Sequence, residues 1–479
     1  MNRRTFIKGC AAGASAFAGS GLLAKQMFAA ESRRPNIVLF VSDDHGLDAV
    51  GCYGNPAIKT PSLDSLAAEG VRFRHAFCTS ASCSASRSVI LTGLHNHATG
   101  QYGHQHSYHH FICFDNIKSL PVLLSEAGYR TARIGKYHVA PEGVYKFEAV
   151  LGGNSRNPVE MAEKCQEFIA ATDKRPFFLY FCTDDPHRSN GEAEKQHDKP
   201  NPFGNRAEGY PGVREIKYDP KDVIVPPFLP DIPQCRAELA QYYQSVSRVD
   251  QGVGRLLDIL KEKGKYDSTL IIYIADNGIA FPGAKTTLYE PGMNLPCIVR
   301  SPWLKKRGIV CNAMITWTDL TPTILDFAGA LSEQANFHGQ SFKSVLEQEH
   351  PKGWDEIYAS HTFHEITMYY PMRVVRQRRF KLIWNIAHGL SYPFASDLWG
   401  SSTWQATLQQ GDKYYGKRDV QAYLHRPEFE LYDLENDPHE VKNLADNPKY
   451  QNVLSELKEK LKAFQKRTND PWIIKWQYE

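Results

Sequence analysis

Three short runs of β-branched and aromatic residues constrain this chain more than anything else in it. Residues 36–42 (NIVLFVS), 176–182 (PFFLYFC) and 269–275 (TLIIYIA) are apolar almost without a break. A strand with one wet face alternates apolar and polar residues. A strand buried on both faces does not, so these runs read as central strands of a sheet covered on both sides. Helical patterns lie between them. The clearest spans residues 236–263, where Leu239, Tyr243, Val246, Val249, Val253, Leu256, Leu257 and Leu260 recur at helical spacing and Gly264 stands at the C-terminal cap. Strands alternating with helices predict an α/β fold.

Residues 190–233 break this pattern. They are polar, rich in Pro and Gly, and read as a long surface excursion. After about Arg373 the texture changes to short strands such as residues 379–384, then a polar stretch, then an amphipathic helix over residues 452–464. That predicts a smaller C-terminal α+β domain, and 479 residues are enough for both bodies.

The N-terminus reads as a targeting segment. MNRRTFIK supplies a basic start, residues 11–24 are small and apolar, and Arg3-Arg4 with Phe6 resembles a twin-arginine address. The expectation is a signal peptide over residues 1–30 and an exported protein, periplasmic or secreted. An uncleaved anchor is the alternative, but the stretch is too short and too rich in Gly and Ser to span a bilayer well. A net charge of +3 argues against a dedicated nucleic-acid binder. Ten cysteines in so long a chain make no disulfide scaffold, and no CxxC pairs mark a zinc site.

Ligands in α/β sheets bind beyond the carboxyl ends of the strands. The first run is followed by Asp43-Asp44-His45, the second by Asp184-Asp185-Pro186-His187 and the third by Asp276-Asn277-Gly278. Singly, such residues are often caps and turn formers. Together, Asp43, Asp44, Asp276 and Asn277 are a hard-oxygen set suited to Ca²⁺, with Mg²⁺ as the alternative.

The strongest local signal is residues 82–93, SCSASRSVILTG. Cys83, Ala85 and Arg87 fit Cys-x-(Pro or Ala)-x-Arg, followed by an apolar helical run and Thr92-Gly93. The stretch closely resembles the signature of the formylglycine-dependent sulfatase family, in which the cysteine is oxidised after translation. A helix starting just after Cys83 would aim free N–H groups at an anion, and Arg87 would add a charge-assisted hydrogen bond. Further motifs follow in family order. Gly135-Lys136-Tyr137-His138 resembles the segment that contacts sulfate, and Asp185-Pro186-His187 the one that carries a second catalytic histidine. Asp276-Asn277-Gly278 with Lys285 resembles the second metal pair and the sulfate-binding lysine. Leu431-Tyr432-Asp433, Asp437-Pro438 and Asn443-Leu444 resemble the C-terminal signature.

Within the family the likeness narrows to the N-sulfoglucosamine sulfohydrolases, the heparan sulfamidases. It rests on Tyr102-Gly103-His104, His109-His110-Phe111, Ser119-Leu120-Pro121, His364-Glu365, Tyr370-Pro371-Met372-Arg373 and Asp470-Pro471-Trp472. Ala85 stands where their motif has Pro, and Lys285 where they have Arg.

The resemblance implies an alkaline-phosphatase-like fold: a large mixed sheet flanked by helices over residues 34–374, and a C-terminal α+β body with an antiparallel sheet over residues 375–479. It implies Ca²⁺ held by Asp43, Asp44, Asp276, Asn277 and the modified Cys83. Formylglycine from Cys83 would be the nucleophile, His138 (positioned by Lys136) the base and His187 the general acid. Arg87, Lys136 and Lys285 would steady the sulfate, and His364, Glu365 and Arg373 would line the sugar pocket. The implied partners are a sulfated glycan and a formylglycine-generating maturation enzyme; a homodimer stays open. An O-sulfatase on another sulfated glycan and a non-catalytic glycan-binding homologue are the rivals. A phosphatase-like hydrolase would need a Ser or Thr nucleophile and a zinc-suited site.

Two features stand outside these motifs. Six histidines fall between His95 and His110. They show no tetrahedral spacing and no thiolate partner, so sugar contacts near the pocket mouth are the better reading than zinc. Arg373, Arg376, Arg378, Arg379 and Lys381 form a basic run that is either a solvated strand face or a glycan-recognition surface.

Overall fold

The computed structural model describes residues 34–189 and 201–478; the expected targeting segment lies outside them. Eight strands form the large sheet: β1 (Asn36–Ser42), β2 (Val71–Phe77), β3 (Arg130–Gly135), β4 (Ala149–Leu151), β5 (Phe177–Cys182), β6 (Thr269–Ala275), β7 (Cys297–Arg300) and β8 (Ile309–Thr316). Their order is β4-β3-β5-β1-β6-β7-β2-β8. β7 is antiparallel to both of its neighbours, while every other pairing is parallel, so the sheet is mixed.

The continuous apolar runs are explained by the two faces they serve. Ile37, Leu39 and Val41 of β1 enter one core cluster, while Val38 and Phe40 enter the other. Leu270, Ile272 and Ile274 of β6 and the alternating Ile271 and Tyr273 divide in the same way. Burying each such side chain is worth about 1.5–3 kcal/mol, which fixes the register of these strands. That register matters for the site. Val41 pairs with Cys182 and Ile274, and Cys182 pairs with Gly135, so β1, β3, β5 and β6 end at one edge.

Two helices frame that edge. Helix α1 (Cys83–Thr92) follows β2 and is buried along its whole length. Helix α2 (Pro233–Glu262) covers the sheet through Leu239, Tyr242, Val246, Val249, Val253 and Leu256. It extends beyond the expected helix at its start, where Pro233 sits at the first-turn position that tolerates proline.

The second body is a four-stranded antiparallel sheet. Its strands are β9 (Glu356–His361), β10 (Met372–Gln377), β11 (Phe380–Asn385) and, beyond a two-stranded ribbon of β12 (Tyr414–Tyr415) and β13 (Arg418–Asp419), β14 (Phe429–Asp433). Helix α3 (Gln451–Arg467) packs Leu454, Leu457, Leu461 and Phe464 onto Val375, Leu382, Trp384 and Leu431. The expected boundary at residue 375 needs correction, because it cuts through β10. The second sheet begins at Glu356, and short strands whose turns carry ordinary polar residues gave no earlier signal.

The basic run is resolved by pairing. Arg376 and Lys381 bind Glu290 of the first body, Lys381 also binds Glu440, Arg378 binds Asp355 and Arg379 binds Asp433. Arg376 and Lys381 are buried and tie the two bodies together, while Arg378 and Arg379 stay partly in solvent, so the run divides between buried ion pairs and a solvated strand end.

Candidate active site

Asp43 and Asp44 leave β1 directly over the sheet edge. Asp44 has left-handed backbone (φ 58°), a conformation costing about 1–3 kcal/mol in a non-glycine residue. It is held there from both sides: its N–H donates to Asp276 Oδ1 at 3.1 Å, and its carbonyl accepts from Tyr242 of α2 at 2.9 Å. Asp276 and Asn277 leave β6, and Asn277 Nδ2 donates to Asp44 Oδ1 at 2.5 Å. The four expected oxygen-bearing residues are therefore brought together, all fully buried.

Three cations and a histidine surround them. Arg87 lies one turn into α1 and donates from Nε to Asp276 Oδ2 at 2.9 Å and from Nη1 to the Lys136 carbonyl at 3.1 Å. Lys136, just past β3, binds Asp43. Lys285 bridges Asp44 at 3.0 Å and Asp397 at 2.8 Å. His187 Nδ1 stands 2.6 Å from Asp44 Oδ2, with its side chain 26% exposed. Cys83 opens α1 with its thiol 3.7 Å from Asp44 Oδ1, and no side chain caps the helix there.

Charge explains the proton affinities. Burial alone would raise Asp43, but Lys136, His187 and Arg87 outweigh it and hold it well below the usual carboxylate range. Burial also opposes Asp44, which Lys285 brings down to about 2. Asp276 goes the other way: burial and the adjacent Asp43 push it up to about 8. Burial raises the Cys83 thiol, which makes the unmodified cysteine a poor nucleophile.

The residues fit a hard cation. Asp43 Oδ1 and Asn277 Oδ1 are buried without a hydrogen-bond partner, and Asp276 carries a charge its surroundings disfavour. Orphaned buried oxygens of this kind are costly unless an ion or proton satisfies them. Asp43, Asp44, Cys83 and His187 also offer ligand atoms within 4.8 Å of one another.

The remaining expected residues divide. His138 faces the site from the turn after β3, again with left-handed backbone (φ 59°). Its Nε2 pairs with His106 Nδ1 at 2.5 Å and its Nδ1 is buried without a partner, so His106, and not Lys136, orients the ring. Burial and then the Lys136 charge push His138 well below the ordinary imidazole range, leaving it unprotonated. His364 is buried between Ser82 Oγ (2.9 Å) and His104 Nε2 (3.0 Å). Glu365 accepts from Ser396 N and Oγ at 2.9 and 2.7 Å, beside the Asp397 that holds Lys285. Arg373 does not line a pocket. Its fully buried guanidinium forms a two-point pair with Asp470 (2.5 and 2.9 Å) and stacks on Trp472. Arg87 fixes Asp276 through Nε and the Lys136 loop through Nη1, while its buried Nη2 makes ion contacts to Asp43 and Asp276 without a hydrogen bond.

Sequence reasoning missed three residues here. Asp397 clamps Lys285 across 112 positions of chain. Arg156 binds Asp185 Oδ1 and the His187 carbonyl, both at 2.9 Å, and Arg248 binds Asp185 Oδ2 at 2.5 Å, so Asp185 braces the His187 turn. None of the three carried a signal in the sequence: Arg248 lies on the side of the helical pattern away from its apolar stripe, where charged residues are ordinary.

Comparison with known proteins completes the picture. Residues 35–330 match the family model described as sulfatase, and residues 283–392 and 412–467 match one described as N-sulphoglucosamine sulphohydrolase, C-terminal. Human N-sulphoglucosamine sulphohydrolase is 40% identical, with 92% of each chain covered. An ulvan-active sulfatase of Formosa agariphila is 29% identical, covering 92% of this chain and 81% of its own. A solved structure described as a complex with its substrate D-glucosamine-2-N,6-O-disulfate has a TM-score of 0.65 at 24% identity, covering 91% of this chain and 99% of that one. A 2-O GAG sulfatase has a TM-score of 0.67 at 21% identity, covering 92% and 93%. At such identities the structural likeness speaks for the fold alone.

Proposed function

The chain belongs to the sulfatase family, and from that premise we propose that it removes the N-sulfate of a non-reducing-end glucosamine in heparan-type saccharides. The observation that carries this reading is the 40% identity to the human sulfohydrolase over 92% of both chains. The C-terminal match to the same group of enzymes supports it.

Asp43, Asp44, Asp276 and Asn277 are the residues that would hold one Ca²⁺, or Mg²⁺, which when bound supplies positive charge against the sulfate oxygens. Cys83, oxidised to formylglycine by a maturation enzyme, would supply an aldehyde hydrate as the nucleophile toward sulfur. Everything else follows from the chain's own side chains. Lys136 and Lys285, each anchored to a carboxylate, are fixed where negative charge gathers, so little reorganisation is needed during reaction. Arg87 keeps Asp276 and the Lys136 carbonyl in register. His187 has Nδ1 engaged by Asp44 and is left with Nε2 to protonate the leaving nitrogen. His138, neutral and with Nδ1 free, takes up the proton released as sulfate departs. Glu365, held by Ser396 beside the Lys285–Asp397 pair, would meet sugar hydroxyls. The protein is exported before it acts.

Sulfate release from glucosamine N-sulfate, glucosamine 6-sulfate and a 2-sulfated disaccharide, assayed side by side, tests the reading. It predicts release from the first, with a free amine appearing in equal amount. Release from an O-sulfated sugar alone would leave a sulfatase of other specificity.

A further inference from the structure

Three imidazoles gather beside the catalytic centre from two segments far apart in sequence. His104 and His106 sit in the loop after Gly103; His138 arrives from the turn after β3. Each offers a ring nitrogen within 4.8 Å of one from each of the other two. The ring centroids are 4.8 Å apart for His104 and His106, 4.6 Å for His106 and His138, and 4.9 Å for His104 and His138. The spacing of histidines 95–110 gave no metal pattern because the third member lies outside that stretch. A second observation is independent of the clustering: His138 Nδ1 is buried and bonded to nothing.

We propose that His104, His106 and His138 form a binding site for a transition-metal ion of the Zn²⁺ or Cu²⁺ class, and that its occupation reversibly blocks turnover. Imidazole nitrogens suit these ions and not Ca²⁺, which takes oxygen, so this site and the Asp43–Asn277 site select different metals. Three histidines with an open fourth position is a familiar Zn²⁺ donor set. Ligating imidazoles need their other ring atoms oriented, and His104 has that support: its Nε2 meets His364, which Ser82 holds in turn. The rings need not lose a proton first. Burial and the His364 ring hold His104 well below the ordinary range, as burial and Lys136 hold His138. His106 is exposed, which gives an arriving ion its way in. Inhibition rests on the assignment of His138 as the proton acceptor, since the ion takes the lone pair that step needs; the site itself does not rest on it.

The test uses the full chain with Ca²⁺ in excess, titrated with Co²⁺ as a coloured stand-in for Zn²⁺. Visible ligand-field bands should saturate at about one ion per chain, as a three-histidine site requires. His106→Ala, a change at an exposed loop residue, should weaken Co²⁺ binding by more than about tenfold, the least that losing even a supporting group costs a metal site. Zn²⁺ should displace Co²⁺ and stop turnover over the same concentration range, and a zinc-selective chelator should restore it. Absence of the bands, or bands that His106→Ala leaves unchanged, would overturn the site. Bands that behave as predicted while Zn²⁺ leaves turnover intact would uphold the site and overturn the inhibition, and with it the role given to His138.

Discussion

Lys285 joins two carboxylates from opposite halves of the chain, Asp44 at 3.0 Å and Asp397 at 2.8 Å, in a fully buried setting. A buried ammonium so held is fixed in place without a ligand's help. Asp397→Ala removes one of its two anchors, and kcat/KM for the N-sulfated sugar should fall about tenfold or more, as losing the groups that orient a site's ligands does. The fold should persist, since Asp44 still pairs with Lys285; a circular dichroism spectrum beside the kinetics separates the two effects. Arg373 predicts the reverse. Arg373→Ala strands Asp470 in the interior, and breaking a buried pair from one side costs about 3–5 kcal/mol. Urea unfolding should show that loss, while the folded enzyme keeps its preference among sulfated sugars. The motif residues of the metal set were legible because each follows a strand whose burial is written in its own composition. Arg373 was misread because a motif position says which residue is needed and not whether substrate or a partner such as Asp470 needs it.

At the scale of elements, the alignment of strand ends decides the chemistry. β3 delivers Lys136 and His138 to the edge where β1, β5 and β6 stop, and Gly135 is the hinge. Its φ is +77°, and a Cβ there would stand 1.9 Å from the Cys182 carbonyl. No side chain fits without parting β3 from β5. Gly135→Ala should therefore lower the thermal midpoint and cut turnover together, because the displaced loop carries both Lys136 and His138; a normal midpoint with normal kcat would contradict the register described here. Central strands were readable from continuous apolar runs, and α2 from its periodicity. The C-terminal boundary was not. β9 and β10 are short strands with turn residues too ordinary to announce them, and their pairing with β11 is a matter of contacts that sequence order does not display.

The whole molecule closes the site only when both bodies dock. His364, Glu365 and Asp397 come from the second body, and the Arg376–Glu290 and Lys381–Glu290 pairs lock that body onto the first. The metal set spans β1 and β6, so an ion bound there stabilises the sheet core as well as the chemistry. Chelation should stop turnover and lower the thermal midpoint, and Ca²⁺ should restore both; at a hundred times its Kd the ion adds about 2.7 kcal/mol. Restoration by Zn²⁺ and not by Ca²⁺ would contradict the hard-oxygen assignment. All of these features converge on Cys83, whose buried thiol is too basic to attack sulfur unaided. The most direct test is a mass spectrum of the Cys83 peptide from active protein. An aldehyde in place of the thiol, in proportion to specific activity, is the predicted result; full activity with an unmodified thiol would contradict it.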